Sequence, residues 1–298
     1  MRELRFCFLF IFTVFVSCGN NPKEDKESLN VEINNRKDKE NLNISFLLDL
    51  SDRISPQKYA NESMEYYQRD VAYIKSVSEA FVSHLKRKKV REMDDKIQLF
   101  FDPEPLNQTI NKISNDLRYH VNRNNASLEI LAEIEQMYSE KPLKIYEYAI
   151  EDAKYVGSDT WRFFKTKASD YCTDNNYRNI LIVLTDGYIY HEDKKIMEGN
   201  KSSYLVPQLV NRLKLNNKNW KETIENKEIG FISTGMDLSN LEVLVLGINP
   251  SKNNPYEEDV ILKYWSDWLE DMQVKKYEIK TAELPSNMDK IIKEFILN

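Results

Sequence analysis

The sequence predicts an α/β fold, a doubly wound and mostly parallel sheet with helices on both faces. Three observations point there. Short runs of uninterrupted apolar residues recur along the chain, and they alternate with segments whose apolar residues are spaced at three, four and seven. Runs apolar at every position mark strands buried on both faces, as in parallel sheets, rather than the one-sided alternation of an exposed sheet. Two of the runs also end in loops rich in carboxylates and hydroxyls, Asp49-Leu50-Ser51 and Thr185-Asp186-Gly187.

Taken in order, Ile44 to Leu50 reads as the first buried strand. Residues 62 to 88 read as an amphipathic helix on Tyr67, Val71, Ile74, Phe81 and Leu85. Lys96 to Phe101 is a second strand, stopped by Asp102-Pro103-Glu104-Pro105. Residues 106 to 173 read as mainly helical, with Leu128, Leu131, Ile134 and Met137 on one face. Arg178 to Leu184 is the strongest strand and runs directly into Thr185. A helix near residues 203 to 213, a polar stretch to Glu228 and a strand at Leu241 to Ile248 follow. A helix over residues 257 to 272 carries Ile261, Tyr264, Trp265, Trp268 and Leu269, and the spacing of the tryptophans assigns them to the core. A strand over Lys276 to Thr281 and a helix over residues 288 to 297, capped by Ser286 or Asn287, close the chain.

The N-terminus has a different character. Arg2 and Arg5 precede an apolar run from Phe6 to Val16, shorter than the roughly 20 residues a spanning helix needs. Residues 1 to 17 therefore read as a secretory signal peptide. Ser17, Cys18 and Gly19 resemble the bacterial lipobox, with Phe15 departing from its usual aliphatic residue, and the resemblance implies lipidation at Cys18. Residues 18 to 41 read as the lipidated cysteine and a flexible linker, too polar to bury a core. Lys23-Glu24-Asp25 resembles the short tag that sends some Bacteroidetes lipoproteins to the cell surface. Residues 42 to 298 read as one domain. The expected location is the cell envelope, as an outer-membrane lipoprotein facing the periplasm or the exterior.

Composition excludes several functions. The net charge of -6 and pI near 5.4 argue against a nucleic-acid surface. With Cys7 in the signal and Cys18 carrying lipid, Cys172 has no partner for an internal disulfide. His84, His120 and His191 lack the spacing of a zinc site. Seven glycines leave little room for a phosphate-cradling loop.

In open α/β sheets ligands bind beyond the carboxyl ends of the strands. If the strands ending at Asp49 and Asp186 are neighbours, their carboxylates and the nearby hydroxyls form a set of hard oxygen donors suited to Mg²⁺ or Ca²⁺. At these residues the chain resembles a von Willebrand factor type A domain, a Rossmann-like fold. That family's metal-ion-dependent adhesion site joins an Asp-x-Ser-x-Ser loop to a distant threonine and a distant aspartate. Asp49 and Ser51 match the first two positions, Asp186 the distant aspartate, and Thr160 the threonine, with Ser158 or Asp159 as alternatives. The element order matches over 42 to 298, allowing for extra helical material before Arg178 and an insertion around 188 to 240.

Arg53 stands where the family has its second loop serine. It removes a hydroxyl ligand and brings a permanent charge. Either Arg53 turns outward and Asp52 or Ser55 compensates, or it pairs with Asp49 or Asp186 and replaces the metal. The resemblance implies a membrane-anchored protein-binding module for adhesion or assembly. Such a module holds Mg²⁺, Ca²⁺ or Mn²⁺ and takes up an acidic side chain of a protein partner. The second reading is a metal-independent scaffold with a degenerate site. The third is a metal-dependent phosphoryl-transfer hydrolase, which wants a second carboxylate where Ser51 stands.

Overall fold

The computed structural model describes residues 40–155, 157–191 and 195–298; the signal, Cys18 and nearly all of the linker lie outside them. The apolar runs form the centre of a six-stranded sheet. Its strands are β1 (Asn41–Leu48), β2 (Asp94–Phe100), β3 (Tyr119–Asn122), β4 (Tyr177–Leu184), β8 (Leu241–Ile248) and β9 (Lys276–Thr281), in the spatial order β3-β2-β1-β4-β8-β9. All neighbouring pairs are parallel except β2 with β3. Burial follows position: every residue of β8 is buried, β2 alternates and the edge strand β9 is partly exposed throughout.

Alternation along each strand divides the core in two. On one face Phe46, Leu48, Ile182 and Leu184 pack with Ile74 and Phe81. These last two lie on α1 (Tyr66–Arg87), which shares the layer with α2 (Gln108–Asp116), α3 (Leu128–Asp152) and α9 (Pro285–Leu297). On the other face Leu47, Leu181 and Val245 pack against Phe164, Trp265 and Trp268. That layer comprises α4 (Thr160–Thr166), α5 (Ala168–Cys172), α6 (Pro207–Arg212), α7 (Trp220–Lys227) and α8 (Glu257–Asp271). The fold is therefore α/β with helices on both faces, as the alternating pattern predicts. All of the described residues fall within one compact unit, and no described helix is long and apolar enough to cross a membrane.

The differences from expectation are local. The first strand is displaced toward the N-terminus, ending at Leu48, so Asp49 and Leu50 belong to the loop. Helix α1 begins at Tyr66, where Glu65 and Gln68 form a reciprocal capping box. The stretch expected to be mainly helical before Cys172 also contains the short antiparallel strand β3. Leu128, placed by its spacing on the packed face of α3, is 77% exposed in the helix's first turn. The 188–240 region adds a small second sheet, β5 (Met197–Glu198), β6 (Lys201–Ser202) and β7 (Gly230–Phe231). Its polar stretch includes α7. The closing helix starts at Pro285, with Leu284 rather than Ser286 or Asn287 at the cap. Trp265 and Trp268 are buried, as their spacing predicts.

Candidate functional site

The parallel register of β1 and β4 sets Leu48 beside Leu184. The next residues, Asp49 and Thr185, therefore leave the sheet side by side. The Asp49 amide donates to the Leu184 carbonyl at 3.0 Å, and the Thr185 hydroxyl donates to Asp49 Oδ2 at 3.1 Å. Asp49 Oδ1 accepts the Ser51 amide at 2.8 Å and so folds its own loop. Beyond Thr185, Asp186 Oδ1 accepts the Tyr188 amide at 3.0 Å.

Gly187 makes this turn feasible. Its φ is +96°, and a Cβ there would meet Ile261 Cγ2 at 2.5 Å. Trp265 Nε1 locks the turn by donating to the Gly187 carbonyl at 2.9 Å.

The charge of Asp49 bears on Asp186. The Asp186 carboxyl is pushed up to about 7, first by desolvation and then by the charge of Asp49, with Arg53 pulling against both. Two carboxylates at one rim disfavour full ionisation unless positive charge joins them.

Arg53 turns neither outward nor onto Asp186. It is buried, and its guanidinium donates to Asp70 Oδ2 on α1 at 2.5 Å, to the Leu184 carbonyl at 3.0 Å and to the Asp49 carbonyl at 3.2 Å. Its Nε also lies 3.7 Å from Asp49 Oδ2. Tyr146, from α3, donates its phenol to the same Asp70 oxygen at 3.0 Å. Burial tends to lower the Arg53 pKa, but Asp70 and then Asp49 raise it further, and the net shift is upward. Burial pushes the Asp70 carboxyl up, while Arg53 and Tyr146 pull it back. Asp70 is thus the principal counter-charge of Arg53, leaving the Asp49 and Asp186 rim with excess negative charge.

The third segment comes from the loop before α4. Ser158 and Tyr190 exchange backbone hydrogen bonds at 2.8 and 3.2 Å, and the Asp159 amide donates to the Asp102 carbonyl at 2.8 Å. This loop needs Gly157, whose φ is +83° and whose missing Cβ would collide with the Tyr190 carbonyl. Ser158 lines a broad open cleft of about 1230 Å³ together with Asp49, Ser51, Asp52, Arg53 and Asp186. Thr160 is buried and does not line it; its hydroxyl is 3.0 Å from that of Ser158. Asp159 caps α4 through the Arg162 amide and lies 3.5 Å from the Arg162 guanidinium. Asp52 sits at the cleft edge, 2.9 Å from Lys58. Ser55 is buried and does not line the cleft.

The structure therefore brings Asp49, Ser51 and Asp186 to one cleft, with Ser158 rather than Thr160 as the residue of the third segment that lines it. Among the described residues there is no group of three or more His, Cys, Asp or Glu arranged to hold a metal. A cation here would depend on two carboxylates plus hydroxyls. Asp70 and Tyr146 are the residues that sequence reasoning missed. The signal was present for Asp70: it stands at the helical spacing of Ile74, Val77 and Phe81, a charge on the stripe that faces the core.

No protein-family model matches the chain, and no curated protein does. Among solved structures, the chain is similar to the pilus adhesin SpaC from Lactobacillus rhamnosus GG, at 11% identity and a TM-score of 0.38. That likeness covers 87% of this chain and 30% of the adhesin, so the chain spans less than a third of the adhesin's length. It stands as a similarity alone, and the reading of the site rests on its own geometry.

Proposed function

We propose that this chain is an envelope-tethered protein-binding module. Its cleft holds a hard divalent cation, Mg²⁺ foremost, and takes up an acidic side chain of a protein partner. The observation that carries this reading is the juxtaposition of Asp49 and Asp186 at the ends of adjacent parallel strands. The donor set fits such an ion. It is made of oxygens only, it includes the hydroxyls of Ser51 and Ser158, and burial together with the charge of Asp49 raises the cost of ionising Asp186. Asp49, Ser51, Asp186 and Ser158 would hold the ion, with Thr160 behind Ser158 orienting its hydroxyl. Bound there, the cation supplies a Lewis-acidic point for a carboxylate. The chain's own groups do the positioning: Thr185 orients Asp49, the Tyr188 amide orients Asp186, and Asp70 holds Arg53 back. The tether belongs to the same reading through Cys18 and the linker to residue 41, which would place the domain outside the inner membrane.

One contact favours the metal-independent scaffold instead. Arg53 Nε lies 3.7 Å from Asp49 Oδ2 and so partly neutralises the rim. Calorimetric titration of Mg²⁺, Ca²⁺ and Mn²⁺ into the purified protein separates the two. Saturable binding that disappears in Asp186→Ala supports the cation-dependent module; no heat from either protein leaves the scaffold reading in its place.

A further inference from the structure

The floor of the cleft is acidic, but its wall is basic and phenolic. Lys58, Lys195, Arg212 and Lys252 line it beside Tyr155, Tyr190 and Tyr204. Three of the cations contact these tyrosines, two of them over the ring. Lys58 Nζ lies 5.5 Å from the ring centroid of Tyr155, and Lys195 Nζ lies 4.5 Å from that of Tyr190. Arg212 donates to the Tyr204 hydroxyl at 3.1 Å. Seating on a ring restricts a long side chain and fixes where its charge sits. The cations come from separate segments: Lys58 from the loop between β1 and α1, Lys195 and Arg212 from the insertion after β4, and Lys252 from the connection between β8 and α8.

We propose that the cleft binds a protein segment carrying several carboxylates, one of which meets the floor while the others meet this basic wall. The inference rests on the cation-dependent reading above for its central contact. Charge complementarity argues for several acids: a lone carboxylate would engage the floor and make no contact with the basic wall, in which Lys58 also pairs with Asp52 at 2.9 Å. Size argues for a chain segment, because the open cleft of about 1230 Å³ exceeds the roughly 300–1,000 Å³ of small-molecule pockets. An acidic polysaccharide would also satisfy the charges, but sugars bind aromatic residues by stacking on ring faces. Lys58 and Lys195 already cover a face of Tyr155 and of Tyr190. The peptide is therefore favoured.

The test uses fluorescence anisotropy in saturating Mg²⁺ with a labelled peptide alternating Glu and Gly, its Gln counterpart and an oligogalacturonate. The proteins are wild type and the triple variant Lys58→Gln, Lys195→Gln, Arg212→Gln, each also titrated calorimetrically with Mg²⁺. The expected result is that the Glu peptide binds better than the other two probes and that its affinity falls with added salt. The triple variant should lose roughly tenfold in affinity for it while still taking up Mg²⁺ as the wild type does. Equal binding of the Glu and Gln peptides, or a triple variant that binds as wild type, overturns this inference while intact Mg²⁺ uptake leaves the cation reading standing. Preference for the oligogalacturonate overturns it in favour of a sugar ligand. Absence of Mg²⁺ uptake by the wild type removes the cation reading, and this inference with it.

Discussion

The Arg53 guanidinium and the Asp70 carboxylate meet at 2.5 Å, both buried, and join the loop after β1 to helix α1. A residue that lines the cleft beside the candidate metal ligands is thereby held against this helix. Removing one partner of a buried ion pair leaves an uncompensated charge, which costs about 3–5 kcal/mol. Asp70→Asn is expected to destabilise the protein on that scale in urea unfolding. The double variant Arg53→Met, Asp70→Leu should recover much of the loss, because it removes both charges together. Equal destabilisation by the single and double variants would show that packing rather than charge holds this junction.

The rim should impose a pH dependence on folding. The folded-state pKa of Asp186 is about 7, above the roughly 4 of an unfolded aspartate. Between those values the native state binds more protons than the unfolded one, so the contribution of this group to stability falls as pH rises. It is greatest below about pH 4, where both states are protonated, and its loss is complete above pH 7. Urea unfolding without divalent cations, compared between wild type and Asp186→Asn, checks this. The wild type should lose stability relative to the variant as pH rises from 4 to 7. A pH-independent difference would show that Asp186 titrates normally.

Gly187 is expected to tolerate no side chain. With φ at +96° and Ile261 and Ile248 within 2.9 Å of the added carbon, Gly187→Ala should cost about 1–3 kcal/mol. Thermal unfolding measures it. A variant as stable as wild type would mean that the turn has another conformation available.

The third segment can be resolved by paired substitutions. Ser158→Ala should weaken Mg²⁺ affinity at least tenfold, about what loss of a supporting ligand costs. Thr160→Ala should weaken it less, because that side chain reaches the site through Ser158. Calorimetry on the two variants gives the order, and the reverse order would restore Thr160 as the direct ligand.

Much of this architecture was legible in the sequence because the central strands carry continuous apolar stretches, Phe46–Leu48, Ile180–Leu184 and Val243–Leu246. Leu241–Ile248 and Lys276–Thr281 have the bounds that their patterns predict. Asp49 and Asp186 were legible for the same reason, as the first carboxylates beyond two buried runs. Short elements escaped: β3 has four residues, and the strands of the second sheet have two each, too few for any periodicity to register. The choice between Ser158 and Thr160 also escaped. It depends on the Ser158 bridge to Tyr190, a contact made across the fold. Arg53 was recognised as the anomaly, but its partner lies 17 residues away on a helix whose placement only packing decides.

The central claim is that Asp49 and Asp186 jointly hold a divalent cation, and paramagnetic broadening tests it most directly. Substoichiometric Mn²⁺ is added to ¹⁵N-labelled protein, with Asp49→Asn, Asp186→Asn as control. The account predicts selective loss of the amide signals of Ser51, Asp186 and Ser158, persistence of Asn43 at the opposite end of β1, and no selective loss in the control. Uniform or absent broadening in the wild type, or the same pattern in the control, would contradict it.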